Sequence, residues 1–244
     1  NYSPEKSQAS LALKVPGNPA VEYPLTLSKL SDSYFDYEWK AKEKIPVTIF
    51  QQISTVDDKQ QVTVVLTAME DVYFNFEERI RTDFRHDDCQ FYLPGFWYRR
   101  NLRSPKEAFH TSDSWVVRED RLSTPLTGLF DEKQKKYMIV VRRAEYIQDA
   151  LSTHKEGEVI LSGTTSLGFT GFENLDGTAA LAFGFPYKEA PKTYIRKLTL
   201  APSVTAFQLL KKGESISLTW EIHEGKGEDF AEFVSHTWEY CYDT

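Results

Sequence analysis

The stretch VTIFQQISTVDDKQQVTVVLTAM, residues 47–69, decides the fold. Apolar and polar residues alternate through VTIFQQIS (47–54) and again through QVTVVLTAM (61–69), which is the period-two signal of half-buried strands. Between them stands Asp57-Asp58, a pair suited to a turn because short acidic side chains tolerate left-handed backbone. The stretch therefore reads as strand, turn, strand.

The same alternation extends in both directions. It occurs in VEYPLTLS (21–28), YFDYEWKA (34–41), VYFNFEERI (72–80), SWVVRED (114–120) and YMIVVRRA (137–144). It continues in EVILSGTTSLGFTGF (158–172), TAALAFGF (178–185), TYIRKLTL (193–200) and SISLTWEIHEG (215–225), giving at least eleven strands. Helical periodicity is almost absent before residue 227, whereas parallel strands would need a helix between neighbours. The expected class is all-β, a large antiparallel β-sandwich with a C-terminal amphipathic helix. Two further turn pairs, Asp131-Glu132 and Lys212-Gly213, punctuate the strands. Residues 85–113 are too polar and too Pro-bearing for continuous sheet and read as a long excursion.

Composition narrows the functions. The 244 residues carry 29 Lys and Arg against 36 Asp and Glu, a net charge of -7, which lacks the basic face that a phosphate backbone requires. No stretch reaches the roughly 20 apolar residues of a membrane span. The opening NYSPEKSQAS has no basic and apolar regions of a signal peptide, and suits either a mature periplasmic or secreted protein or a cytoplasmic one. Cys89 and Cys241 cannot supply a disulfide framework or a four-cysteine zinc site; two free thiols or one bridge remain open.

Motifs for catalysis are thin. No Gly-x-Ser-x-Gly elbow or His-Glu-x-x-His is present, and no Gly-Lys-Ser/Thr follows the glycines at 163, 168, 171, 177 and 184. The five histidines lack metal-ligand spacing, and His86-Asp87-Asp88 are contiguous rather than convergent. Neither a catalytic residue nor a metal or cofactor is expected from these segments.

Two segments point to sugar. In LPGFWYRRN (93–101), Trp97 and Tyr98 run into Arg99 and Asn101, so flat rings stand beside hydrogen-bond donors. A pyranose presents C–H faces to the former and hydroxyls to the latter. The alternative is that the rings pin a loop to the sheet. In VREDRLSTP (117–125), Arg118 and Asp120 share one face of an extended backbone and Glu119 and Arg121 the other, giving either a structural ion pair or groups that meet a substrate.

The chain finishes on GEDFAEFVSHTWEYCYDT (227–244), in which Phe230, Phe233, Val234, Thr237, Trp238 and Cys241 follow helical spacing behind acidic Glu228 and Asp229. Tyr240 and Tyr242 widen the apolar stripe beyond what one sheet covers.

A β-sandwich followed by Asp229, Phe230, Ala231, Phe233, Val234, Trp238 and Tyr240 in this spacing resembles the amino-terminal region of bacterial glycoside hydrolases built on an (α/α)6 barrel. That resemblance implies a supersandwich-like domain over 1–226 and a helix over 227–244 leading toward a helical catalytic domain of the same polypeptide. Phe230, Phe233, Val234, Trp238 and Tyr240 would pack between domains and expose an apolar patch when the partner is missing. Trp97, Tyr98, Arg99, Asn101, Asp120 and Arg121 would lie near an oligo- or polysaccharide. The catalytic acids would sit in the barrel, leaving these 244 residues inactive alone. Polysaccharide lyases share related layouts. An autonomous carbohydrate-binding module and a structural surface sandwich are the other readings.

Overall fold

The structure, a computed structural model, describes residues 2–99, 113–143, 156–190, 192–194, 199–201 and 203–242, with backbone alone for 192–194 and 199–201. Strands run in chain order as β1 (Ser7–Lys14), β2 (Val21–Lys29), β3 (Tyr37–Ala41), β4 (Val47–Val56), β5 (Lys59–Ala68) and β6 (Val72–Arg85). Then come β7 (Cys89–Leu93), β8 (Trp97–Arg99), β9 (Trp115–Arg118), β10 (Leu126–Asp131), β11 (Lys136–Arg142), β12 (Gly157–Ile160) and β13 (Phe169–Leu175). The last are β14 (Thr178–Phe185), β15 (Lys188–Glu189), β16 (Lys192–Tyr194), β17 (Thr199–Ala201), β18 (Val204–Leu210) and β19 (Ser215–Lys226), followed by helix α1 (Phe230–Tyr242).

Two antiparallel layers result. One runs β9–β13–β14–β6–β1–β2–β3 and the other β4–β5–β19–β11–β10–β7–β8, with β3 pairing β4 to carry the chain from layer to layer. The fold is an all-β sandwich closed by one C-terminal helix. Hairpin β4–β5 turns on Asp57 (φ 49°) and Asp58 (φ 61°), both left-handed, and pairs Val56 with Lys59. This is the two-residue turn whose twist matches that of the flanking strands.

Period two sorts the side chains. Ile49, Val62, Val64, Leu66, Leu218, Trp220 and Ile222 of one layer meet Leu11, Phe74, Phe76, Leu181 and Phe183 of the other, all nearly or fully buried. At about 25 cal/mol per Å2 of apolar area removed from water, such rows dominate the stability.

The structure corrects two expectations about irregular segments. Residues 89–99 are not an excursion from the sandwich but a hairpin of it, because Gly95 (φ +80°) lets Pro94-Gly95 reverse the chain tightly enough to pair Leu93 with Trp97. Residues 119–121 are not extended; they form a single 3-10 turn after β9. The interior of the expected excursion, residues 100–112, lies outside the described residues.

Candidate functional site: a loop and helix platform

The β7–β8 hairpin pairs Tyr92 with Tyr98 and Phe91 with Arg99. Leu93 and Trp97 point into the sandwich, where Trp97 packs 5.2 Å from Trp115 and 5.4 Å from Phe172 and is 2% exposed. Trp97 therefore anchors the hairpin in the core, and its ring offers no face to a ligand. Its indole N–H donates to the carbonyl of Arg99 at 3.0 Å.

Tyr92 and Tyr98 point to the opposite side with ring centres 5.5 Å apart, Tyr98 being 52% exposed. Burial, and then the neighbouring Tyr98, push the Tyr92 phenol up to about 12, so it stays neutral. The Tyr98 hydroxyl accepts from the Gly95 amide at 3.0 Å. Arg99 takes φ +58°, rare for a side-chain-bearing residue, and its guanidinium lies 5.5 Å from the Phe230 ring centre.

Helix α1 covers this side. Its start is fixed by Asp229, whose carboxylate accepts from the Glu232 amide at 2.9 Å. Phe233 is fully buried over Gly128, where an added Cβ would come within 2.7 Å of its ring. Phe230 and Phe233 join one buried cluster with Tyr92, Phe130, Tyr137 and Ile139 of the chain's own sheet, while Val234 and Tyr240 are half-buried beside them. The apolar patch anticipated around Phe230 and Phe233 is thus covered within the chain. What the sheet leaves uncovered is Tyr242, which stacks at 5.0 Å and 5° on half-buried Trp238 one helical turn before it. Tyr242 is 61% exposed, and its hydroxyl meets that of Thr124 at 3.5 Å.

The two loops singled out in the sequence touch: the Ser123 amide donates to the Pro94 carbonyl at 3.0 Å. Pro94, Thr124, Tyr92, Leu126, Thr237 and Trp238 line a shallow crevice where both loops meet the helix. Exposed Tyr98, Arg99 and Tyr242 and half-buried Trp238 share this side of the sheet and make up a hairpin and helix platform. Asn101 lies outside the described residues.

The acidic and basic residues of 118–121 are engaged in ion pairs. Arg118 holds Asp120 through two bonds of 3.0 and 2.6 Å and lies 4.4 Å from the Tyr187 ring centre. Arg121 bonds Glu189 at 2.6 Å, and Glu119 joins Arg142 at 2.7 Å. Arg118 and Asp120 thus form an ion pair with each other. Sequence reasoning had no place for Tyr242 at the site; its four-residue spacing from Trp238 was the available signal.

No family model matches the chain, and no curated protein sequence matches it. Among solved structures, a polysaccharide lyase is similar with TM-score 0.40 and 13% identity over 92% of this chain and 26% of its own. The Slr1438 protein of Synechocystis sp. PCC 6803 gives 0.46 and 8% over 93% of this chain and 75% of its own. A galactose mutarotase related enzyme from Lactobacillus acidophilus gives 0.45 and 10% over 90% and 79%. The chain spans about a quarter of the lyase's length. None of these likenesses bears on activity, and the functional reading rests on the chain's own residues.

Proposed function

We propose that the chain is an accessory β-sandwich domain of a carbohydrate-active protein, contacting oligo- or polysaccharide through Tyr98, Arg99, Trp238 and Tyr242. The observation that carries this reading is one side of the sheet on which Tyr98, Arg99 and Tyr242 are exposed and half-buried Trp238 stacks on Tyr242. Rings stack on sugar C–H faces and arginine binds hydroxyls, whereas neither transfers a proton at neutral pH, so the role is binding. Catalysis falls to a helical domain of the same polypeptide, a glycoside hydrolase barrel, seated beside Trp238 and the loops. Such a protein works where polysaccharide is met, in the periplasm or outside the cell.

A second reading, the autonomous binding module, is favoured by Phe230 and Phe233, whose apolar surface is already covered by the chain's own sheet. Affinity electrophoresis of the chain in gels carrying plant and bacterial polysaccharides tests both. Retardation that disappears in Tyr98→Ala/Trp238→Ala is expected. Retardation unchanged in that double variant would remove the platform from the proposal. A gel-filtration shift to dimers, relieved by Trp238→Ala, would favour the accessory domain over the module.

A further inference from the structure

The opposite side of the molecule carries a second polar site. On the outer face of β2, β1 and β6, the register sets Glu22 beside Ala12, Ala12 beside Asn75 and Ser10 beside Glu77. With Lys188, Glu158, Thr205 and Phe207 these residues line a groove of about 150 Å3. At roughly 30 Å3 per water, that is room for about five waters, or one small ring.

Three polar groups of the groove, Ser10, Asn75 and Glu77, are buried. Asn75 is 3% exposed and donates both amide protons, to the carbonyls of Pro186 and Ala206 at 3.0 Å each. Its orientation is thereby fixed, and Oδ1 is left as an acceptor with no hydrogen bond from the described residues. Ser10, 7% exposed, likewise has a hydroxyl with no such bond.

Glu77, 4% exposed, bonds Lys188 at 2.5 Å and contacts Arg79 at 2.6 Å, and Arg79 reaches Glu173 at 2.7 Å. On the far wall Lys14 bonds Glu158 at 2.5 Å. Burying Glu77 costs desolvation that an apolar residue of equal size would avoid, and Lys188 and Arg79 offset it. Glu77 and Glu158 are matched by Lys188, Arg79 and Lys14, while the exposed Glu22 has no ion pair among the described residues, which disfavours an anionic ligand. Acceptors and donors line the groove together with apolar Ala12, Ala20 and Phe207, which suits a ligand rich in hydroxyls with one C–H face.

We propose that this groove is a second binding site, taking a single neutral sugar residue whose hydroxyls meet Asn75 Oδ1, Ser10, Glu77 and Lys188. The site is separate from the platform and holds whether or not the platform binds polymer.

The test titrates the chain with D-glucose, D-galactose, D-mannose and D-glucuronate, followed by amide NMR shifts. Saturable shifts are expected on β1 and β6 with at least one neutral hexose, and weaker ones with glucuronate. Ala12→Phe, which fills the groove without touching an ion pair, is expected to weaken binding by about tenfold or more. Ser10→Ala is a milder second variant, with loss of a few-fold. Tyr98→Ala/Trp238→Ala is expected to leave hexose affinity unchanged while abolishing polymer retardation. The proposal is overturned if no neutral hexose binds, if Ala12→Phe binds as the parent does, or if the platform variant abolishes hexose binding.

Discussion

The hydroxyl of Tyr2 donates to the carboxyl of Glu78 at 2.7 Å inside the sandwich, although 76 residues separate them. Gln51 links the pair to Trp39, donating to the Tyr2 hydroxyl at 3.2 Å and accepting from the indole at 2.6 Å. Glu78 is fully buried, and burial raises its pKa from 4.5 to about 7.

A raised carboxyl pKa means that the folded state holds the proton more tightly than the unfolded one. Stability from Glu78 is therefore fully present below about pH 4.5 and is lost as pH rises through 7, by on the order of 3 kcal/mol. Thermal unfolding of Glu78→Gln against the parent should show the variant gaining relative stability between pH 4.5 and 7, with a flat difference above. A difference that does not change with pH would sink this account.

Gly128→Ala should undock the helix. Its Cβ would come within 2.7 Å of Phe233 and 2.9 Å of Ile139, neither of which has room to move in a close-packed site. The expected loss is about 1–3 kcal/mol by denaturant titration, with changed near-ultraviolet dichroism from the tyrosines around Phe233. Phe233→Ala should cost about 3–5 kcal/mol. Equal stability in both variants would mean that the helix contributes little to the fold.

Arg142→Met should destabilise the domain by about 3–5 kcal/mol, because it leaves Glu119 buried without its charge partner. Both side chains are under a tenth exposed, and Glu119 also accepts the Gly168 amide at 2.8 Å. Glu119→Gln/Arg142→Met should recover part of that loss, and a double-mutant cycle measures it. A double variant as unstable as the sum of the singles would contradict a coupled pair.

Cys89 and Cys241 are both free thiols, the first buried and the second half-buried. Burial pushes the Cys241 thiol up, so little thiolate is present at neutral pH. Alkylation at pH 8 under native conditions should modify Cys241 slowly and leave Cys89 intact until unfolding. Rapid modification of Cys89 by peptide mapping would contradict its placement.

The strands around 47–69, the turn at Asp57-Asp58 and the amphipathic character of α1 were legible because each depends on neighbours in sequence. Alternation fixes a strand, a left-handed-tolerant pair fixes its turn, and three-to-four spacing fixes a helix face. The convergence of 93–101 with 117–125 was anticipated only as a common nearness to sugar. What joined them, the bond from Ser123 to Pro94, comes from register between β7 and β10. Pleat direction put Trp97 inside and Tyr98 outside, and no local rule separates those two adjacent rings. Nor does alternation tell which of Glu77 and Glu78 enters the core; Tyr2 and Gln51 make Glu78 tolerable there, while Lys188 and Arg79 hold Glu77 on the outer face. Periodicity is written in adjacent residues, so sequence by itself determined the elements. A buried charge is set by partners brought from across the chain, so only the tertiary structure decided where each polar group rests.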